Sequence, residues 1–307
     1  MQCAPPPSRD TNHTIFNMAD EVFQSDTKCL DQYDYFFRPD LLSGKVAFIT
    51  GGGSGIGFTI TEVLMRHQCA TVIVGRNFDR LRKAAKKLED LTGQKCVPIK
   101  VDVRKVNEVE AAVDKALELF SRIDILVNGA AGNFLCPASK LSYNGLKTVI
   151  DIDTLGTFNV SKTVYNKFFK ENGGGSIINI TATLHYNGTP FQCHAGSAKA
   201  AIEGMMRHLA VEWGPDGVRV NCVSPGAVTD TEGFRKLGGR HIPPNYEENV
   251  PLQRLGSRRD VADATLFLAS GASAYVTSNT LIVDGGSWMT VPVSLKMMKS
   301  MKAISKL

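Results

Sequence analysis

Three groups of residues have the types and spacing for chemistry. The first is Gly51-Gly52-Gly53-Ser54-Gly55-Ile56-Gly57, entered directly from the apolar run Val46–Thr50 and followed by a helical pattern. Glycines at this density let the backbone turn tightly and approach a pyrophosphate, whose charge then rests on the N–H groups and positive dipole of the helix start. In a strand, loop and helix context this predicts a dinucleotide site built from Gly51 to Gly57. The second group closes the next apolar run, where Val72-Ile73-Val74 leads to Gly75-Arg76-Asn77. A fold that prefers NAD puts an acid here for the ribose 2′-hydroxyl, whereas the Arg76 guanidinium, with Arg80 one turn on, suits a 2′-phosphate. The expected cofactor is therefore NADPH, with Asn77 beside it. Asp102, in Val101-Asp102-Val103, is expected to accept from the adenine amino group, and Asn128-Gly129-Ala130 to line the adenosine side.

The third group surrounds Lys199, in His194-Ala195-Gly196-Ser197-Ala198-Lys199. Ala198, Ala201, Ile202, Met205 and Leu209 recur three or four apart, so one face of this helix packs inward with Lys199 beside it. Such a lysine either runs its stem along the core with its head in water or serves a buried site. The glycine loop upstream favours the second reading. His194 would titrate in a useful range, but at a helix start it is expected to cap or face solvent.

These residues need elements to hold them. Short Val/Ile/Leu runs near 45–50, 71–75, 96–101, 123–127, 176–181, 218–223 and 280–283 read as strands. Helical patterns fall near 55–68, 78–92, 105–120, 142–170, 195–213 and 259–269. The alternation predicts right-handed βαβ crossovers: an α/β fold with a buried parallel sheet in a single doubly wound domain. Residues 1–30, with Pro5-Pro6-Pro7 and no periodicity, read as a flexible extension, 31–290 as the domain, and 291–307 as a basic, Met-rich tail. Thr229–Val250 is long for a connection and rich in Gly, Pro and charge, which makes it a candidate lid.

The chain has 307 residues and a net charge of +5. It has no basic-aromatic stripe of the kind a nucleic-acid groove needs, so nucleic acid is not an expected partner. Seven cysteines, widely spread, show no metal-ligand or Cys-x-x-Cys spacing, so free thiols and no metal are expected. No run reaches the roughly 18 to 20 apolar residues of a membrane span, and no apolar signal-peptide core is present.

Thr50-Gly-x-x-x-Gly-x-Gly57, Asp102, Asn128-Gly-Ala, Lys199 on its helix, Pro225-Gly226 and Asp284-Gly285-Gly286 follow the order and spacing of the short-chain dehydrogenase/reductase family, which the chain resembles over about residues 43 to 290. The resemblance implies a Rossmann-type domain with a seven-stranded parallel sheet. It further implies cofactor contacts from Pro225, Gly226, Val228, Thr231 and Lys199, and a homotetramer or homodimer. The family reduces carbonyls with Ser, Tyr, Lys and a central-helix Asn. Here Ala195 stands four before Lys199, Ala182 takes the serine place and Asp153 the asparagine place.

With Asn133-Phe134-Leu135-Cys136-Pro137 and the terminal Ser305-Lys306-Leu307, these departures resemble the branch of that family acting on 2,4-dienoyl thioesters of coenzyme A. The branch implies a peroxisomal address read by an import receptor. It also implies hydride addition to C5 of the diene, a dienolate, and proton delivery to C2 by a water that Asp153 and Lys199 hold. An acid that merely braces the bend of the central helix remains the other reading of Asp153. Tyr186 is the rival for the proton. An acyl-CoA is expected at Arg76, Arg104, Phe134, Ser142, Tyr143, Asn144 and Lys236, with Arg240 a further cation. Another NADPH-dependent enoyl-CoA or carbonyl reductase, or a cofactor-binding pseudoenzyme, is the alternative.

Overall fold

Each of the seven apolar runs carries hydrophobic side chains on both faces, which only a sheet covered on both sides can bury. The computed structural model describes residues 37–236 and 246–290, all within the unit that begins at Phe37. Its strands are β1 Val46–Thr50, β2 Ala70–Gly75, β3 Cys96–Lys100, β4 Ile125–Asn128, β5 Gly175–Ile180, β6 Val218–Pro225 and β7 Thr280–Val283. They form one seven-stranded sheet in the order β3-β2-β1-β4-β5-β6-β7, and every pairing is parallel. The order reverses between β1 and β4. There the crossovers leave toward opposite faces and open a crevice beyond the carboxyl ends of the strands. Thr50 pins this point, its hydroxyl accepting the backbone N–H groups of Gly129 and Ala130 at 3.0 Å each.

The helices that concern the site are α1 Gly55–Arg66, α2 Phe78–Thr92, α3 Val106–Phe120, α4 Tyr143–Ile150, α5 Gly156–Lys167 and α6 Cys193–Trp213. Local chemistry sets their ends. The Asn77 side chain caps α2 by accepting the Arg80 N–H, and the Ser142 hydroxyl caps α4 by accepting the Gly145 N–H at 3.0 Å. The rest are α7 Glu232–Lys236, α8 Arg258–Ala269, entered through a Ser257/Asp260 capping box, and α9 Ser287–Thr290.

The helix expected over 142–170 is not uniform. Between α4 and α5 the turn widens to a π-helix over Asp151–Leu155. A π turn inserts an extra residue and rotates its side chains off the α register, which is why such turns recur at functional sites. Helix α6 begins at Cys193, before the expected 195. On one side of the sheet, Phe48, Val72, Leu126, Ile177 and Val220 form a contiguous core cluster with Val109, Val160 and Ile202 of the helices, while Ile49, Ile73, Ile60, Leu64 and Leu266 are buried outside that cluster. The described cysteines, Cys69, Cys96, Cys136, Cys193 and Cys222, are unpaired. No described helix is long and apolar enough to cross a membrane. Within the candidate lid, residues 237–245 lie outside the described ones.

Candidate active site

A cleft of about 1320 Å³ occupies the crevice. Gly51, Gly53, Ser54, Gly55, Ile56 and Gly57 line it on one side. A Cβ on Gly57 would stand 2.4 Å from the Gly51 carbonyl oxygen. Gly51 has φ +72°, and a Cβ there would stand 2.7 Å from the Gly129 oxygen. The loop is thus folded back on itself as only glycine permits. Gly55, at φ +57°, faces open space, so backbone N–H groups meet the cleft with no side chain over them. That cradle fits a pyrophosphate. Gly52 does not line the cleft; it packs on Ile73, where a Cβ would come within 2.5 Å.

Arg76, Asn77, Arg80 and Asp102 line the same end, and Pro225, Gly226, Val228, Thr231 and Lys199 the other. Asp102 is committed before any ligand arrives. Arg104 donates to both its oxygens, from Nε at 2.9 and 3.1 Å and from Nη2 at 2.5 Å. These bonds hold the Asp102 carboxyl down at about 2. Arg104 itself does not line the cleft. The Asn128 side chain is also turned away: buried, it donates to Ser161 Oγ and Asn179 Oδ1, both at 2.9 Å, and ties β4 to β5.

The π turn aims Asp153 at the start of α6. Asp153 is 1% exposed and Lys199 7%, and Lys199 Nζ lies 3.1 Å from Asp153 Oδ2. Asp153 Oδ1 accepts the Gly132 N–H at 2.7 Å, and Lys199 donates to the Ile180 carbonyl at 3.1 Å. A buried carboxylate and ammonium are therefore locked between the β4 turn and the end of β5, with Lys199 on the cleft wall and Ala182 beside it. Ala195 is buried and offers no hydroxyl.

Other expected residues fall elsewhere. His194 neither caps nor meets solvent; it is fully buried and stacks on Phe134 with ring centroids 4.2 Å apart. His194 shares the inward side of the first turns of α6 with the buried Ala195, Ala198 and Lys199, while Cys193 and Ser197 face outward. Burial lowers the His194 pKa, with the Phe134 backbone and the Asp153 charge opposing the shift. Phe134 does not line the cleft and is 40% exposed. Ser142 is spent as a cap, Tyr143 is 96% exposed, and Asn144 is exposed beside it. The side chain of Lys236, Arg240 and the Ser305-Lys306-Leu307 tripeptide lie outside the described residues.

Tyr186 does not point at the cleft. Its hydroxyl donates to Glu203, 2.9 Å from Oε1 and 3.2 Å from Oε2, and burial followed by this carboxylate pushes its pKa up to about 12. Glu203 escaped the sequence reading. It occupies the inward stripe of α6 one turn past Lys199, between the buried Ile202 and Met206, and a lone acid in that stripe was the available signal.

The family model described as Enoyl-(Acyl carrier protein) reductase matches residues 51–287. A Danio rerio protein named (3E)-enoyl-CoA-producing peroxisomal 2,4-dienoyl-CoA reductase is 57% identical over 277 residues, 90% of this chain and 92% of the relative. The protein of the same name from Rattus norvegicus is 57% identical over 265 residues, 86% of this chain and 90% of its own. Among solved structures, a 7α-hydroxysteroid dehydrogenase complexed with NADH and 7-oxo glycochenodeoxycholic acid superimposes with a TM-score of 0.75 at 30% identity, covering 82% of this chain and 98% of that one.

Proposed function

Because the chain belongs to the short-chain dehydrogenase/reductase family, we propose that it is an NADPH-dependent reductase converting 2,4-dienoyl-CoA to trans-3-enoyl-CoA in the peroxisomal β-oxidation of unsaturated fatty acids. The names of its relatives support the substrate and the compartment. One observation carries the reading. At the positions where the family's carbonyl reductases hold a tyrosine and a serine stand Ala195 and Ala182, while a buried Asp153–Lys199 pair stands 3.1 Å apart at the cleft.

The difference follows from where the proton must go. A ketone reductase protonates an alkoxide oxygen, and a phenol held by a lysine does this well. A dienoyl thioester needs the proton at a carbon. The nicotinamide, when bound, supplies the hydride. What remains for the chain is to bear the negative charge that collects on the thioester oxygen of the dienolate and to bring a proton to C2. Lys199, held by Asp153 and the Ile180 carbonyl, carries the opposite charge. Asp153 Oδ2, on the side away from Gly132, is the acceptor that with Lys199 holds a water for the proton.

Selectivity for NADPH is assigned to Arg76 with Arg80, the two guanidinium side chains at the Gly75 end of the cleft. Asp102, aligned by Arg104, is assigned to the adenine amino group. For the acyl-CoA we assign Arg76, which lines the cleft, and, on the family resemblance alone, Arg104, Phe134, Ser142, Tyr143, Asn144 and Lys236. A homotetramer or homodimer, a domain over 31–290 and an import receptor reading Ser305-Lys306-Leu307 complete the proposal. The test is spectrophotometric. NADPH is expected to be oxidised with 2,4-hexadienoyl-CoA, yielding 3-hexenoyl-CoA, and not with 2-hexenoyl-CoA. Oxidation with the mono-unsaturated thioester, or binding of NADPH without oxidation by any thioester, overturns the reading.

A further inference from the structure

Behind the cleft wall lies a second buried charge that the reaction does not use. Glu203 is 3% exposed and gathers donors from three places. The Thr181 hydroxyl, at the end of β5, lies 3.1 Å from Oε1, and the Tyr186 hydroxyl reaches both oxygens. His185 Nε2 stands 3.3 Å from Oε2. Burial alone would raise the Glu203 pKa, but His185, Tyr186 and Thr181 outweigh it and the net shift is downward, so the carboxylate stays charged in the interior.

Its place in the fold is specific. Lys199 and Glu203 are one turn apart on α6 and grip adjacent residues of one strand end, the Ile180 carbonyl and the Thr181 hydroxyl. The chain then runs through Ala182, Thr183 and Leu184, which line the cleft, and returns to Glu203 through His185 and Tyr186. Beyond them Asn187 donates to the Trp288 carbonyl. Tyr186 packs on the Trp288 ring at 5.4 Å between centroids, and Trp288 lines the cleft again. A buried charge contributes little net stability compared with apolar packing of the same volume, and its best-attested use is to fix one arrangement among several. Here that arrangement is the wall facing Lys199.

We propose that Glu203 is a positioning residue for the thioester, holding residues 182–189 from behind as the wall against which the acyl group lies beside Lys199. The proposal rests on the dienoyl-CoA reading for the identity of the ligand, though not for the wall itself. Glu203→Gln tests it, because an amide in this place turns a donor toward His185 or Tyr186. Relative to wild type, kcat/KM for 2,4-hexadienoyl-CoA is expected to fall by about tenfold to a hundredfold, as for a misplaced reacting group. NADPH affinity, read by quenching of protein fluorescence in the folded protein, is expected to stay within about twofold while the melting temperature falls. Amide hydrogen exchange is expected to rise in 182–191 and not in 51–57. Tyr186→Phe, which leaves Thr181 and His185 on the carboxylate, is expected to show a smaller drop in kcat/KM. An equal loss in NADPH affinity, or faster exchange throughout, makes Glu203 merely structural and overturns the proposal. Unchanged kcat/KM with unchanged exchange in 182–191 also overturns it. Should wild type fail to reduce the dienoyl thioester, the functional reading falls while exchange still decides the role of Glu203. If Glu203→Gln does not fold, His185→Gln, which removes a single donor, carries the same readouts.

Discussion

Replacing Asp153 by asparagine removes the charge from the proposed catalytic pair while keeping its shape. In the native site Oδ1 accepts the Gly132 N–H at 2.7 Å and Oδ2 faces Lys199 Nζ at 3.1 Å. An amide cannot do both. With its oxygen toward Gly132 it turns an NH2 on the ammonium; flipped, it turns the NH2 on the Gly132 N–H. At 3.1 Å the lost attraction is about 5 kcal/mol for an effective dielectric of about 20. Desolvation of both groups offsets much of that in the intact pair, but not once one partner is gone, and breaking a buried pair costs about 3–5 kcal/mol. Lys199 then keeps only the Ile180 carbonyl and loses the anion that positions it. Losing the positioned proton path lowers rates by about 10² to 10⁴. Turnover of 2,4-hexadienoyl-CoA by Asp153→Asn is therefore expected to fall at least about a hundredfold, measured by NADPH absorbance under saturating substrate, with the folded fraction checked by circular dichroism. An acid that only braces the π turn would lower the melting temperature and leave kcat intact in the protein that remains folded. Wild-type kcat in Asp153→Asn refutes the catalytic assignment.

Three further outcomes follow from the same geometry. Arg76→Glu is expected to weaken NADPH by about tenfold or more and to spare NADH, since a carboxylate repels a 2′-phosphate and accepts from a 2′-hydroxyl; unchanged discrimination in paired titrations removes Arg76 from the cofactor site. Gly57→Ala sets a Cβ 2.4 Å from the backbone oxygen of Gly51, which cannot give way, so NADPH affinity is expected to drop steeply in a fluorescence titration; wild-type affinity argues against the cradle. In the folded chain Asp102 sits at about 2, and Asp124, Asp260 and Glu203 also lie below their ordinary values. A carboxylate with a depressed folded pKa contributes stability above its unfolded value of about 4 and loses it as the pH falls through the folded one, so the melting temperature is expected to decline from about pH 4 down to about pH 2. A flat profile across that window contradicts the ion-pair assignments.

What could be read from the sequence divides according to how far the responsible interaction reaches along the chain. The glycine loop, Arg76 and the strand ends declare themselves because strand, loop and helix are contiguous, and the cradle is made by its own backbone. Lys199 shows itself as a cation beside an apolar stripe, but Asp153 and its pairing with Lys199 are legible only through the family spacing, since 46 residues part them and the π turn that brings them together is not written in any periodicity. Analogy alone puts Arg104, Ser142 and Phe134 at the ligand, and the contacts each makes within the chain, with Asp102, the Gly145 N–H and the His194 ring, leave no mark in the sequence pattern. Helix α6 supplies the general point. A search for apolar periodicity reads its stripe as core, and Ala198, Ile202 and Leu209 are core indeed, whereas Ala201 is exposed and Met205 half-buried, with Ala195 and Met206 buried instead. The same stripe carries His194, Lys199 and Glu203, all buried. A helix bears the desolvation of three titratable groups on its inward face only where other elements bring partners to them. Here the partners come from the β4 turn, the π turn and the end of β5, the three segments that meet around Lys199 on the cleft wall. Titratable residues that interrupt an otherwise apolar stripe thus mark the helix face that looks into the site, and Glu203 is the member of that set whose purpose only the assembled fold reveals.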